Sequence, residues 1–254
     1  MSDRFYIETP IEGQQARLTG GEAQHAAKVM RVGRGDEIIV FDGSGAEFVA
    51  RIGEIGRSEI ELEIVSRNEI DREAPREILL AVALPKGDRQ QWLVEKLTEL
   101  GVRRLVPLVT ERGVAQPVEK ALERLRRWVV EASKQCGRNR LMEIGVPRAW
   151  REFASSVQEG AVRCLAVPGG MPARGVLQGE GAVVAAVGPE GGWTKEEIAV
   201  AEDNRSASRG ASGARSPRPR NCRCRPAEPG PARRNHGPSG RRRPAWRPRP
   251  PRSA

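Results

Sequence analysis

The sequence lacks several features, and each absence excludes a class of protein. None of its apolar runs is long enough to cross a membrane, and its first ten residues lack the basic-then-apolar order of a secretion signal. It has only 4 cysteines among 254 residues, and their spacing matches no metal-ligand motif. We therefore expect a soluble, cytoplasmic protein with no metal site and with reduced, structural thiols.

Acidic residues are almost absent from the last fifth of the chain. Residues 204–254 contain 15 Arg, no Lys and 1 acid, Glu228. The first 203 residues hold the other 28 basic and 32 acidic residues, so this part is mildly acidic although the whole chain has a formal net charge of +10. The total charge is therefore no argument that the N-terminal part binds nucleic acid.

Large aliphatic residues are also missing from residues 204–254, which contain no Leu, Ile, Val, Phe, Tyr or Met. Such a segment cannot bury enough apolar surface to offset its chain entropy, so we predict a disordered tail. Arg, Pro, Ala, Gly and Ser dominate it, which is the residue usage of GC-rich DNA read out of frame. We interpret the tail as an out-of-frame segment. The alternative is a natural arginine-rich tail that touches RNA.

The first 70 residues are predicted to form a small β-barrel. Runs of alternating apolar and polar residues at 47–52 and 60–65 are typical of half-buried strands. Asp42 and Gly43 indicate a hairpin turn between strands. One helix is predicted over residues 22–30.

Beyond a charged linker at residues 68–76, the pattern changes to alternating strands and helices. Residues 78–84 form a continuous apolar run, which predicts a strand buried on both faces. The amphipathic pattern of residues 88–100 predicts a helix, with Trp92 in the core. Strand–helix alternation predicts an α/β domain with a parallel sheet over residues 75–203.

The most informative stretch runs from Gly181 to Glu197. An apolar run at 182–187 predicts a buried strand, and the glycine-rich residues 188–192 break it. Thr194 and Glu197 have the spacing of a capping box, which predicts that a helix begins there. Such a turn lets a ligand approach the backbone closely, although a tight connection without a ligand is about equally common.

The motif GPEGG at residues 188–192, followed by Trp193 and Thr194, resembles the cofactor loop of the SPOUT (trefoil-knot) methyltransferases. It is most similar to the family that methylates N3 of a uridine in bacterial 16S rRNA. Four further stretches match that family in order, each weak alone but specific together. They are His25 to Gly43, with Val29-Met30-Arg31; Lys86-Gly87-Asp88-Arg89 with Thr98-Glu99-Leu100-Gly101; Val106-Pro107-Leu108 with Thr110-Glu111-Arg112; and Gln135-Cys136-Gly137-Arg138-Asn139-Arg140.

The resemblance implies a fold of the α/β class. A small PUA-like β-barrel, residues 1–70, would precede a SPOUT α/β knot domain, residues 75–203. It also implies S-adenosylmethionine as the cofactor, 16S rRNA in the small ribosomal subunit as the substrate, and a homodimer with the active site at its interface. The residues implied as cofactor-binding are Gly188, Pro189, Glu190, Gly191 and Gly192; as catalytic, Arg138, Asn139 and Glu190; and as RNA-binding, Arg4, His25, Arg31, Lys86 and Arg140.

Considered as residues alone, these positions also have structural interpretations. A lone histidine such as His25 is more often structural than functional, and Lys86 could be a solvated charge. Arg138 and Arg140 follow a helix end, where cations favour the helix dipole. Cys136 is not expected to be a nucleophile, because a thiolate adduct serves methylation at carbon 5 of a pyrimidine and not at a ring nitrogen.

After Asp203 the chain departs from the family. Members continue to a segment ending in Leu-Arg-x-Glu-Thr-Ala, which passes through the knot and completes the cofactor pocket, and nothing in residues 204–254 matches it. We therefore expect an incomplete knot and an inactive chain. The alternative function is that of a non-catalytic RNA-binding protein that uses the barrel and the basic tail.

Overall fold

The computed structural model describes residues 4–157, 160–172, 181–211 and 222–223. Its N-terminal sheet has the strand order β1-β3-β4-β5-β2, with β1 parallel to β3 and the other pairs antiparallel. Buried side chains such as Phe5, Leu18 and Ile52 form its core. The strands are β1 (Arg4–Tyr6), β2 (Gln15–Thr19), β3 (Glu37–Phe41), β4 (Ala46–Ile55) and β5 (Glu59–Glu69).

A helical segment connects β2 and β3, as predicted. It begins as α1 (Gly20–Gln24) and continues as a π-helix, His25–Met30. Arg31 then stops it in the left-handed conformation, with a φ of 55°. Residues other than glycine rarely adopt this conformation, and π-helical turns are frequent at functional sites.

The second sheet is parallel, with the strand order β12-β10-β11-β6-β7-β8, and β9 pairs with the end of β7. Its strands are β6 (Ile78–Val82), β7 (Arg104–Val109), β8 (Glu143–Ile144), β9 (Arg148–Ala149), β10 (Val162–Pro172), β11 (Val183–Val187) and β12 (Cys222–Arg223). The helices around it are α2 (Arg89–Glu99), α3 (Glu119–Cys136), α4 (Trp150–Ser156) and α5 (Lys195–Ala211).

Both faces of this sheet are covered, as the continuous apolar run at 78–84 predicts. Val82 on β6 packs in one cluster with Val94 of α2 and Leu125 of α3. Its neighbour Ala81 belongs to a second cluster that includes Phe153 of α4 and residues at the start of α5. Because successive side chains of a strand point to opposite faces, α2 and α3 form one outer layer and α4 and α5 the other.

The prediction that Trp92 lies in the core is wrong, because this side chain is 62% exposed. The inward face of α2 is formed by Gln90, Val94 and Leu97, which are all buried. Trp92 lies about 200° around the helix axis from Gln90, so it points to solvent. A polar residue, Gln90, takes the inward position because it donates to the carbonyl of Pro85 at 2.8 Å.

Helix α5 continues to Ala211, past the predicted boundary at Asp203. Alanine and arginine favour a helix, and the first proline after Asp203 is Pro217. Apart from this helix and β12, the predicted tail and the place of a knot-closing segment lie outside the described residues. Within the part of the chain that the structure describes, no helix is long and apolar enough to span a membrane.

Candidate functional site

Three loops meet at the carboxyl edge of the parallel sheet. Strands β11, β6 and β7 are neighbours in register, with Val187 opposite Val82 and Val82 opposite Pro107. The residues that follow them therefore emerge together, and ligands of open α/β sheets bind at such edges. The first loop, residues 83–88, is anchored to the end of β11 because the amide of Ala83 donates to Val187 at 3.0 Å.

The loop at 188–192, called the glycine loop below, is fixed by its own geometry. A Cβ added to Gly188 would lie 2.8 Å from the indole of Trp193, so only glycine fits beneath that ring. Trp193 is buried and donates from Nε1 to the carbonyl of Ala166 at 3.0 Å. Gly192 has a φ of +71°, a conformation that favours glycine, and its amide closes a turn on Pro189 at 2.8 Å.

Helix α5 begins with the predicted capping box. The amide of Thr194 donates to Oε2 of Glu197 at 2.9 Å, and the amide of Glu197 donates to Oγ1 of Thr194 at 3.2 Å. The other carboxylate oxygen of Glu197 accepts a hydrogen bond from the amide of Glu111 at 2.9 Å. The backbone carbonyl of Glu197 accepts a hydrogen bond from Nε1 of Trp150 at 2.8 Å. This buried carboxylate therefore ties the loop after β7 to the end of the glycine loop.

Charged side chains surround the glycine loop. Arg89 donates to Glu190 at 2.5 Å, and both side chains are more than 60% exposed. Arg112 donates to the carbonyl of Gly191 at 3.0 Å. Lys86 is exposed in the first loop, three residues before Arg89. The structure thus places the predicted site residues Lys86 and Glu190 at the same edge of the parallel sheet. Arg89 and Arg112 lie there too, although no role was predicted for them from the sequence.

A buried hydroxyl lies at the same edge. Oγ1 of Thr110, directly after β7, has no hydrogen-bond partner among the described residues. A Cβ added to Gly113 would lie 2.8 Å from this oxygen, so glycine keeps the space beside it open. A buried polar atom without a protein partner is unusual, and this hydroxyl has the chemistry to bond a polar ligand at the edge of the sheet.

Arg138, predicted to hold the substrate, is only 2% exposed. Its guanidinium donates to both carboxylate oxygens of Glu73, at 2.9 and 2.5 Å, and to the carbonyl of Val102 at 2.8 Å. Asn139, also 2% exposed, accepts a hydrogen bond from Arg4 and donates to the carbonyl of Ile70. Both side chains are occupied by the protein itself, so their placement does not support a contact with substrate.

Arg4, predicted to bind RNA, is likewise used internally. Its guanidinium bonds Oε2 of Glu47 at 2.8 Å, and Arg72 bonds the same oxygen at 2.9 Å. Burial of Glu47 opposes its charge, but the hydrogen bonds from Arg72 and Arg4 outweigh burial and lower the pKa of this carboxyl. Together with the Arg138–Glu73 pair, these residues form an ionic cluster that joins the N-terminal sheet to the linker and the end of α3.

The other predicted RNA-binding residues are exposed. His25 and Arg31 lie on the N-terminal module, where the His25 ring stands edge-on to Phe5 at a centroid distance of 6.2 Å. Arg140 follows α3 and lies against Gly45, at which a Cβ would be 2.9 Å from the guanidinium. Among the described residues no cluster of His, Cys, Asp and Glu could hold a metal ion.

Comparison with known proteins agrees with this architecture. The model of the RNA methyltransferase PUA domain matches residues 18–65, and that of the RNA methyltransferase domain matches residues 72–208. The ribosomal RNA small subunit methyltransferase E of Synechocystis sp. is 33% identical over 193 residues, which cover 72% of this chain and 62% of that protein. The enzyme of the same name from Aquifex aeolicus is 30% identical over 199 residues, 77% of this chain and 85% of its own length.

A solved structure has the same fold. The ribosomal RNA small subunit methyltransferase E of Neisseria gonorrhoeae, bound to S-adenosyl methionine, matches with a TM-score of 0.74 and 28% identity. The match covers 81% of this chain and 87% of that one. The predicted fold class, a PUA-like module followed by a SPOUT α/β domain, is thereby confirmed. The chain belongs to the RNA methyltransferase family that includes the ribosomal RNA small subunit methyltransferase E proteins.

Proposed function

We propose that this chain is built to transfer a methyl group from S-adenosylmethionine to N3 of a uridine in small-subunit rRNA. The observation that carries the proposal is the glycine loop, whose backbone is fixed at the ligand-binding edge of a parallel sheet. Relatives are named rRNA small subunit methyltransferases, and one of them is solved with the cofactor bound. The choice of N3 rests on the motif resemblance.

The residues present fit this cofactor. A Cβ at Gly191 would meet only Arg112, at 3.5–3.6 Å, so the protein's own packing leaves room for a side chain there. The close approach of a ligand explains why that side chain is missing. The partnerless hydroxyl of Thr110 is a group that a polar ligand can satisfy. When bound, S-adenosylmethionine supplies an electrophilic methyl group on its sulfonium sulfur.

The chain's own contribution is positioning. Methylation would replace the N3 proton, which passes to water, with the methyl group of the cofactor, so the chain must hold the N3 lone pair in line with the methyl carbon. Glu190, exposed on the glycine loop, can accept hydrogen bonds that orient the base or the cofactor. We assign RNA contacts to His25, Arg31, Lys86 and Arg140, and a supporting role to Arg4, Arg138 and Asn139.

We further propose that two copies associate through α2. Trp92 on this helix and Leu100 directly after it are 62% and 70% exposed, and a second copy would cover them. Sedimentation of the chain should therefore show a dimer, and Trp92→Glu should shift it to a monomer. A monomeric parent chain would refute the association.

The main experiment is methyl transfer to small ribosomal subunits purified from cells that lack this activity. It compares the 254-residue chain with a frame-restored chain, in which the gene is read in the next frame from codon 204. The restored chain should yield 3-methyluridine by mass spectrometry of digested rRNA, and the 254-residue chain should yield almost none. Methylation at carbon 5 or at a ribose hydroxyl would refute the N3 assignment.

A non-catalytic RNA-binding protein is the second candidate, favoured by the exposed His25, Arg31 and Arg140 together with the arginine-rich composition after residue 204. Calorimetry with S-adenosylmethionine separates the two functions. Binding by the restored chain supports the enzyme, whereas salt-sensitive RNA binding without cofactor binding supports the alternative.

A further inference from the structure

An ion pair between Arg89, the first residue of α2, and Glu190 links the start of this helix to the glycine loop. Arg89 is 73% exposed and Glu190 62%, although their atoms are only 2.5 Å apart. Exposed pairs of this kind are weak because water solvates both charges. A competing anion can therefore displace Glu190 from Arg89.

The proposed substrate brings such an anion. Any uridine whose base reaches the glycine loop carries its own phosphates to the rim of the site. Exposed cations on the three loops and at the starts of α2 and α5 include Lys86, Arg89, Arg112 and Lys195, and exposed acids there include Asp88, Glu111, Glu190 and Glu196. Arg112 is held by the carbonyl of Gly191, whereas Arg89 is held only by Glu190 among the described residues.

We propose that Arg89 exchanges partners when RNA binds, leaving Glu190 for a backbone phosphate. A guanidinium can bind phosphate through two parallel hydrogen bonds, which a single carboxylate oxygen at 2.5 Å does not match. The exchange frees the Glu190 carboxylate at the moment the base arrives. Glu190 thus masks Arg89 in the free protein and becomes available to the base in the complex. This inference rests on the proposed function, because RNA must be the substrate.

The test is equilibrium binding of a single-stranded, uridine-containing RNA oligonucleotide to the full chain, without cofactor. Glu190→Gln should tighten binding by roughly two- to five-fold, since the competitor of the phosphate is removed. Arg89→Gln should weaken binding and make the log–log salt dependence shallower by about 0.7. In the Arg89→Gln background, Glu190→Gln should bring no gain.

The matched control is Glu196→Gln, which removes an exposed acid beside the glycine loop that has no charged partner among the described residues. It should change affinity less than Glu190→Gln. Residues 204–254 are the same in every variant, so any RNA that they bind adds the same background, which reduces the measured ratios without reversing them. A gain from Glu190→Gln that persists without Arg89, or that Glu196→Gln equals, would overturn the exchange. Because binding is read without methyl transfer, a frame-restored chain that binds RNA in this way but fails to methylate would contradict the proposed function alone.

Discussion

Replacing Arg138 with alanine should destabilise the protein by about 2–4 kcal/mol. The side chain is 3% exposed and its partner Glu73 is 21% exposed, with two hydrogen bonds between them. Removing one partner of a buried pair costs about 3–5 kcal/mol, because the other charge is left without compensation. Glu73 keeps some contact with water, which lowers the expected value. Loss of the hydrogen bond to the carbonyl of Val102 raises the expected destabilisation.

Pulse proteolysis over a urea series measures this free energy of unfolding at low protein concentration. Arg140→Ala is the matched control two residues away: its side chain is exposed, so stability should change by less than about 0.5 kcal/mol. Arg138→Lys should fall between the two, because lysine cannot reproduce the two-bond geometry. If Arg138→Ala is as stable as Arg140→Ala but loses RNA binding, then Arg138 contacts substrate and our assignment is refuted.

Three further predictions concern the site, the ionic cluster and the end of the chain. In the frame-restored chain, Gly191→Val should abolish S-adenosylmethionine binding in calorimetry while changing stability little, because a Cβ there meets only Arg112. Since the pKa of Glu47 is lowered in the folded state, its contribution to stability should be present above the ordinary carboxyl value of 4.5 and be lost as pH falls through the folded value. Glu47→Gln should therefore flatten the acid side of the stability profile. The 254-residue chain should be less soluble than the frame-restored chain, and proteases should cleave it first within residues 204–254, whose composition lacks large aliphatic residues.

Each of these has a contradicting outcome. Unchanged cofactor affinity in Gly191→Val would remove the glycine loop from the site. Gly188→Ala, which must displace Trp193, shows for comparison how much affinity is lost when the packing of the same loop is disturbed. An acid profile that Glu47→Gln leaves unaltered would mean that other carboxyls control it. Equal solubility and equal turnover of the two chains would show that residues 204–254 are not an out-of-frame segment.

Local patterns in the sequence predicted the elements that carry the site. The capping box at Thr194 and Glu197 followed from a spacing of three residues, and the two-sided burial of β6 followed from an unbroken apolar run. Such features depend on near neighbours along the chain, so the sequence contains enough information to locate them.

Features that depend on distant partners could not be predicted in the same way. A motif shows that Arg138 is a cation but not that Glu73, 65 residues earlier, occupies it. The same limit applies to Arg4, whose partner Glu47 lies 43 residues away. Trp92 was misplaced because its hydrophobicity favours burial, while the direction of α2 is decided by its packing against α3.

The ionic cluster also restricts how this protein could recombine with its relatives. Its members come from both sides of residue 70: Arg4 and Glu47 on one side, and Arg72, Glu73 and Arg138 on the other, where Asn139 also accepts a hydrogen bond from Arg4. A crossover at the linker that imported a foreign N-terminal module would leave Arg72 without its partner Glu47 and Asn139 without its partner Arg4. The loss at Arg72 is moderated by water, because its side chain is 37% exposed. A recombined chain should fold well only when the incoming module carries equivalents of both Arg4 and Glu47. We therefore expect these two residues to be inherited together with Arg72 and Asn139.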